Sequence, residues 1–230
     1  MKISNKIELM APAGNFESLQ AALDNGADSI YFGVEQLNMR ARSTVNFTMD
    51  DLQEIANRCE AKNVRSYLTL NTIIYDHDLS VVKTLLTKAK EANITAVIAS
   101  DQAVIAMARS ISMEVHISTQ LNVTNIETIK FYSLFADAMV LSRELSLRQV
   151  KKITDQIEKE RIKGPSGNLV EIEIFGHGAL CMAVSGKCYL SLHSHNSSAD
   201  RGACKQNCRK KYTVIAVSYT HPTLPTIYSV

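Results

Sequence analysis

Short apolar runs alternate along this chain with longer stretches whose apolar residues recur at helical spacing. The run 7–11, IELMA, is broken by Pro12 and Gly14 and followed by NFESLQAALDNG, in which Phe16, Leu19, Ala22 and Leu23 fall at helical intervals. Asn15 is placed to cap that helix, with Ser18 at the capping-box position, and Asn25-Gly26 offers a left-handed exit. The pattern then resets. DSIYFG ends at Gly33, and after a polar loop the segment MDDLQEIANRCEAKN aligns Leu52, Ile55, Ala56 and Cys59 on one face, which reads Cys59 as buried and unreactive.

The same alternation recurs as VRSYLTLN with LSVVKTLLTKAKEAN, ITAVIAS with DQAVIAMARS, MEVHIS with NVTNIETIKFYSLF, and DAMVLSRE with LSLRQVKKITDQIEKE. In the last helix Leu147, Val150, Ile153 and Ile157 supply the apolar face, and a seventh strand candidate follows at LVEIEIFG. No hairpin signal interrupts the series. Parallel crossovers need a dozen or more residues, so strands alternating with helices of this length predict a parallel sheet covered by helices. Seven βα beginnings fit a TIM-like (β/α) barrel, C-terminally truncated before an eighth unit, better than a five- or six-stranded open sheet. KGPSG at 163–167 reads as a surface loop, not a domain boundary.

Residues 1–176 therefore read as the βα barrel core. From 177 to 214 glycines, histidines, serines and cysteines replace apolar periodicity, a cysteine-rich, cofactor-binding excursion continuing the barrel mouth. Residues 215–230 look non-native. Their stretch SYTHPTLPTIYSV has no helix face, carries Pro222 and Pro225, and resembles the translated read-through of a sequencing adapter, so it is set aside from fold reasoning.

Composition narrows the class. In 230 residues, 25 Lys and Arg face 23 Asp and Glu, for a net charge of +2, which argues against a histone-like tail or polyanion coat. With 46% hydrophobic residues the chain has material for one sizeable core. No apolar stretch is long enough to span a membrane and the start lacks a secretory apolar segment, so a cytoplasmic, soluble protein without a membrane partner is expected. Cys59 stands alone, whereas the other four cysteines follow the spacing Cys181-x6-Cys188-x15-Cys204-x3-Cys208. Four thiolates can hold a tetrahedral zinc ion or a four-iron cluster, and the absence of C-x2-C knuckles weakens the zinc-ribbon reading. Disulfide or thiol chemistry and unligated structural cysteines remain the other readings. Lys187, Arg201, Lys205, Arg209, Lys210 and Lys211 surround these cysteines, to offset a thiolate-rich centre, to meet RNA phosphate, or simply as a solvated face.

Strand ends gather at one mouth of such a barrel, which makes the following residues candidates. His177 follows the seventh strand and can donate to a substrate or cofactor oxygen. Arg143-Glu144 follows DAMVLS, with Glu144 orienting Arg143 or moving a proton, and these three form the catalytic set. His116 and Gln120, at or just beyond the fifth strand, are substrate-binding candidates through hydrogen bonds. Each has a bland counterpart in packing or loop pairing. Asn71, Asn122 and Asp101 read first as caps or turns. No His-Glu-x-x-His occurs, and Ser185 in AVSGK lacks the surroundings of a nucleophile elbow.

EIEIFGHGALCMAVSGKCYLS resembles the signature of the collagenase-like peptidase family, and ELMAPAGNFESLQAALDNGADSIYFG, HISTQLNVTN and VLSRELSLRQV are similar to its other segments, so the likeness covers residues 7–214. Within it the chain is most similar to the prephenate-dependent tRNA uridine hydroxylases. That resemblance implies formation of 5-hydroxyuridine at the wobble position of tRNA, with an iron–sulfur (4Fe-4S) cluster as cofactor, prephenate as co-substrate, and tRNA and an electron-transfer partner as partners. It implies Cys181, Cys188, Cys204 and Cys208 as the metal ligands, the first two foremost. Arg40 and Arg42, in the loop after the second strand, then suit the two carboxylates of prephenate, or form a surface arginine pair. A collagenase-like peptidase and a non-enzymatic iron–sulfur RNA-binding protein are the alternatives.

Overall fold

The computed structural model describes residues 7–34, 37–39, 47–178 and 181–213. Arg40, Arg42 and the tail 215–230 lie outside the described residues. Seven strands, β1 (Met10–Ala13), β2 (Ser29–Gly33), β3 (Arg65–Leu70), β4 (Ala96–Ala99), β5 (Glu114–Ile117), β6 (Ala138–Val140) and β7 (Glu171–Glu173), pair in chain order, every pair parallel. Between them run α1 (Phe16–Asp24), α2 (Leu52–Ala61), α3 (Leu79–Glu91), α4 (Gln102–Ser110), α5 (Ile126–Tyr132) and α6 (Leu147–Glu160). The first strand begins three residues later than the apolar run predicts and takes in Pro12, which β1 tolerates because among the described residues it pairs on one side only, with β2.

The helix exits explain why so many similar units fit in sequence. After α1, α2, α3, α4 and α6 the chain turns through a left-handed residue, at Gly26, Asn63, Asn93, Ser112 and Arg161. The next residue then sends its N–H back to the helix, as in Val64 to Cys59 O at 2.9 Å, Ile94 to Ala89 O at 2.9 Å and Met113 to Ala108 O at 2.9 Å. Gly26 takes this conformation without the Cβ penalty, whereas the others rely on Asn or on local bonding. At the opposite end of α1, Asn15 and Ser18 do form a reciprocal capping box, with Ser18 N donating to Asn15 Oδ1 at 2.8 Å.

Outward strand positions carry Ile30, Phe32, Leu68, Leu70, Val97, Ala99, Val115, Ile117, Met139 and Leu141, all buried against the helices in one core. Each large aliphatic or aromatic chain buried there contributes about 1.5–3 kcal/mol, more than a cap does, so the sheet–helix interface sets the architecture. Cys59 is part of it, and burial pushes its thiol up to about 11, which keeps it protonated and inert. Leu147 departs from the expected face and is 74% exposed. At 3.6 residues per turn it lies about 120° around α6 from buried Ile153. The 163–167 loop is anchored rather than free, with Ser166 N donating to Asp137 Oδ1 at 2.8 Å.

Inward positions are different. Tyr67, Ala96 and Ile98 pack with Met10 and Tyr31, and a polar network lies beside them. Tyr67 donates to Glu8 Oε1 at 3.0 Å, Arg65 pairs with Glu8, and Arg65 reaches to 3.9 Å from Glu171 on β7. Strands four places apart in a flat sheet would be about 19 Å apart, so this contact shows the sheet curling into a barrel wall. His116, expected at the mouth, lies in this interior instead. It is 1% exposed, its ring centroid 4.6 Å from that of Tyr67, because alternation along β5 turns it inward with Glu114. Nε2 is 3.0 Å from Glu114 Oε1, and Nδ1 is 2.5 Å from Glu173 Oε1, an ion-pair contact out of line for a hydrogen bond.

Burial alone would lower the basicity of His116, but Glu114 and Glu173 outweigh it and raise the imidazolium to about 9. The raised value means the stabilisation is complete below the ordinary imidazole value and is lost as pH rises through about 9. His116→Leu should destabilise the fold by on the order of 3 kcal/mol at pH 6 by leaving two carboxylates without their cation. Urea midpoints measured from pH 6 to 9.5 should show the gap to wild type shrinking; a gap independent of pH would contradict the assignment.

Candidate functional site

The carboxyl ends of β3, β4, β5 and β6 open into the segment 181–213, which lies across them. Asn122 stands just beyond β5 in a left-handed conformation, φ 50°, and its Nδ2 donates to Gln120 O at 2.7 Å and to Ser185 O at 2.9 Å. Arg143, beyond β6, donates through Nη2 to Ser185 Oγ at 2.8 Å and to Ala183 O at 3.4 Å. Both ties grip the loop between Cys181 and Cys188. The third tie is stronger: Arg201 forks onto Asp78 at 2.6 and 3.3 Å, donates to Ile73 O at 2.7 Å, and lies over the Tyr75 ring. The Arg201 hydrogen bond holds the Asp78 carboxyl below its usual range.

Within the segment, α7 (Leu190–His195) is followed by turns held by polar side chains. Ser191 Oγ accepts from Lys205 N at 2.9 Å, Ser197 donates to Ala203 O at 2.7 Å, and Asn207 Nδ2 donates to Ser194 Oγ at 2.6 Å. Such a segment has little apolar core of its own. Met182, Val184, Tyr189 and Tyr212 are all exposed.

A cavity of about 210 Å³ lies between the mouth and the segment, lined by Met39, Asn71, Thr72, Ile73, Ser100, Asp101, Gln102, Gln120, Leu121, Gly186, Lys187 and Asp200. Asp101 caps α4, accepting from Ala103 N at 2.8 Å, and also accepts from Ile74 N at 3.1 Å, which matches its reading as a cap. Asn71 accepts from Met39 N at 3.1 Å and donates to Ser118 Oγ at 3.2 Å, and Ser118 in turn meets the Gln120 side chain.

Of the residues expected here, Gln120 lines the cavity and Arg143 holds the segment. Glu144 accepts from Ser142 Oγ, which lowers its pKa and keeps it ionised, so it is better suited to accepting a proton than to supplying one. His177 is exposed, on the run from β7 toward Cys181. His116 lies in the barrel interior, away from this cavity. Thr72, Asp200 and the pairing of Asp78 with Arg201 were not singled out by the sequence, whereas Lys187 and Arg201 were read only as part of the basic surroundings of the cysteines. The signal for Thr72 was its place directly after the third strand; nothing in the sequence pairs Asp78 with Arg201.

The four clustered cysteines are unpaired thiols, with Cys181, Cys204 and Cys208 exposed and Cys188 half-buried. Their sulfurs have the softness a zinc ion or iron–sulfur centre needs. Among the described residues, however, no group of three or more His, Cys, Asp or Glu side chains converges to hold a metal ion. The described thiols alone therefore do not fit a closed ligand set.

Removing the clamp should release the segment and leave the barrel folded. Arg201→Ala is expected to cost about 1.5–3 kcal/mol, the range for a charge-assisted hydrogen bond. Limited proteolysis should then cut within 181–210 faster than in wild type, while thermal unfolding of the barrel changes little. Unchanged cleavage would show that Asn122 and Arg143 suffice.

A solved structure described as the U32 peptidase Mk0906 aligns with a TM-score of 0.55 at 13% identity, covering 76% of this chain and 70% of that one, a likeness of fold alone. Among curated relatives, a protein named collagenase from Porphyromonas gingivalis is 58% identical over 210 residues, 91% of this chain and 51% of that protein. The tRNA hydroxylation protein P of Helicobacter pylori is 36% identical over 211 residues, 90% of this chain and 48% of its own length. The chain thus spans about half the length of these relatives. Over residues 14–223 it matches the model of one family, and it belongs to peptidase family U32.

Proposed function

We propose that this chain carries the barrel portion of an RNA-base hydroxylase, forming 5-hydroxyuridine at the wobble position of tRNA in a prephenate-dependent reaction. The observation that carries the reading is the seat of the cysteine-bearing loop, tied through Ser185 to Asn122 and Arg143 at the ends of the barrel strands. Similarity to a tRNA hydroxylation protein supports the RNA substrate. An iron–sulfur centre supplied by Cys181 and Cys188, with further donors, belongs to this proposal; when bound it would supply electron transfer.

The residues of the chain have definable tasks in this reading. Asn122 and Arg143 hold the 181–188 loop over the mouth, Arg143 acting as a positioning residue. Lys205, Lys210 and Lys211, with Arg209, give the segment a basic face for RNA phosphate. Arg40 and Arg42 are assigned to the two prephenate carboxylates through their planar forks. Glu144, ionised and exposed, is the candidate to accept a proton at its carboxylate.

The peptidase reading is favoured by the name of the 58% identical relative. The surroundings of Ser185 and Ser194 argue against a serine nucleophile at either position. Ser185 Oγ accepts from Arg143, whose guanidinium offers donors and no acceptor to take the hydroxyl proton. Ser194 lies 3.0 Å from His195 Nδ1, but its hydroxyl donates to Leu190 O and the same imidazole nitrogen faces the Asn207 amide at 3.0 Å. Neither serine is poised as a nucleophile.

Anaerobic incubation with unmodified tRNA should yield 5-hydroxyuridine by nucleoside mass spectrometry only when prephenate is present. Gelatin should remain uncut. Arg40→Ala or Arg42→Ala should raise the prephenate concentration needed for half-maximal product without lowering thermal stability. Gelatin cleavage without any modified nucleoside would reverse the assignment.

A further inference from the structure

We infer that the cavity between Thr72, Gln120 and Lys187 is the receptor for a single uncharged pyrimidine base, not for the dianionic co-substrate. The inference rests on the RNA-hydroxylase reading and deepens it by naming the occupant of the mouth. Its first support is an orphaned group. Thr72 is 1% exposed, and its Oγ1 is buried with no hydrogen-bond partner although the residue lines the cavity. A buried hydroxyl without a partner is costly, and a ligand that bonds to it removes the cost.

Charge is the second support. The described lining carries one cation, Lys187, against two carboxylates, Asp101 and Asp200. Asp101 is spent on backbone N–H groups, and burial pushes the Asp200 carboxyl up while Lys187 opposes the shift. Among the described residues the lining carries no net positive charge, so these side chains by themselves do not favour a molecule with two carboxylates. They suit a neutral ring edge that alternates donors and acceptors, as the amide edge of uracil does. Thr72 and the Gln120 amide nitrogen offer the partners, since the Gln120 oxygen is engaged by Ser118. Met39, Ile73 and Leu121 give the apolar surface on which an extruded base packs.

Size and closure agree. The volume of about 210 Å³ admits one ring. Gly186 closes the cavity where the segment touches Gln120: a Cβ there would lie 3.0 Å from Gln120 Cβ and 3.3 Å from its Cγ, on a backbone with φ +69°. Only glycine lets the loop sit this close without strain.

The test uses the full chain with uridine as the probe, followed by saturation-transfer NMR, with prephenate as competitor. Uridine should bind saturably, Thr72→Val should weaken it about three- to tenfold, the worth of one hydrogen bond, Thr72→Ser should restore it, and Gly186→Ala should weaken it by pushing the loop off Gln120. Prephenate should not displace it. Circular dichroism melts establish that the variants are folded, and a variant that melts early is replaced by Gln120→Leu with the same expectation. Uridine binding unchanged by Thr72→Val, or full displacement by prephenate, would overturn the assignment. If wild type hydroxylates tRNA but the variants bind uridine normally, the pocket fails and the reaction stands. If uridine binds with the expected sensitivity and no hydroxylated nucleoside forms, the pocket stands and the reaction fails.

Discussion

Three polar ties hold a segment with almost no core of its own across the open end of the barrel: Asn122 and Arg143 to the 183–185 loop, and Arg201 to Asp78 and Ile73. The cavity exists because of them. A hydrogen bond to a charged group contributes about 1.5–3 kcal/mol, which is enough to hold a short loop that packing alone would leave loose. The same ties bring Gly186, Lys187 and Asp200 over residues from β3, β4 and β5, so that one pocket is shared by parts of the chain more than a hundred residues apart. Any functional account of this chain depends on that seat.

The barrel divides its labour along its axis. Toward the amino-terminal ends of the strands, Glu8, Arg65, Glu114, His116 and Glu173 line the interior with paired charges. Toward the carboxyl ends, side chains from successive strands and the covering segment leave space. In barrels of this kind the latter face carries chemistry and the former carries stability. His116 belongs to the stabilising half despite its place in a motif near the mouth.

The alternation of short apolar runs with helical faces was enough to read seven strands in order, since the strand–helix unit recurs and five of the six helices between the strands end on the same left-handed exit. The buried fate of Cys59 was legible for the same reason. His116 was not, because strand parity, rather than nearness to a strand end, decides which way a side chain points. Leu147 failed on geometry, sitting beyond the buried arc of α6. In the site, Gln120 could be found from its position after β5, whereas Thr72 and Asp200 become meaningful only when distant loops meet. The role of Arg143 as a tie, and the bidentate clamp of Arg201 on Asp78, are long-range pairings that no periodicity announces.

The central claim is that the segment and the strand ends together form one RNA-facing site. Photocrosslinking of a tRNA bearing 4-thiouridine at the wobble position, followed by peptide mapping, tests it most directly. Crosslinks should fall within 71–73, 118–122 and 181–213. Crosslinks confined to the outer helices, or spread evenly over the surface, would contradict it.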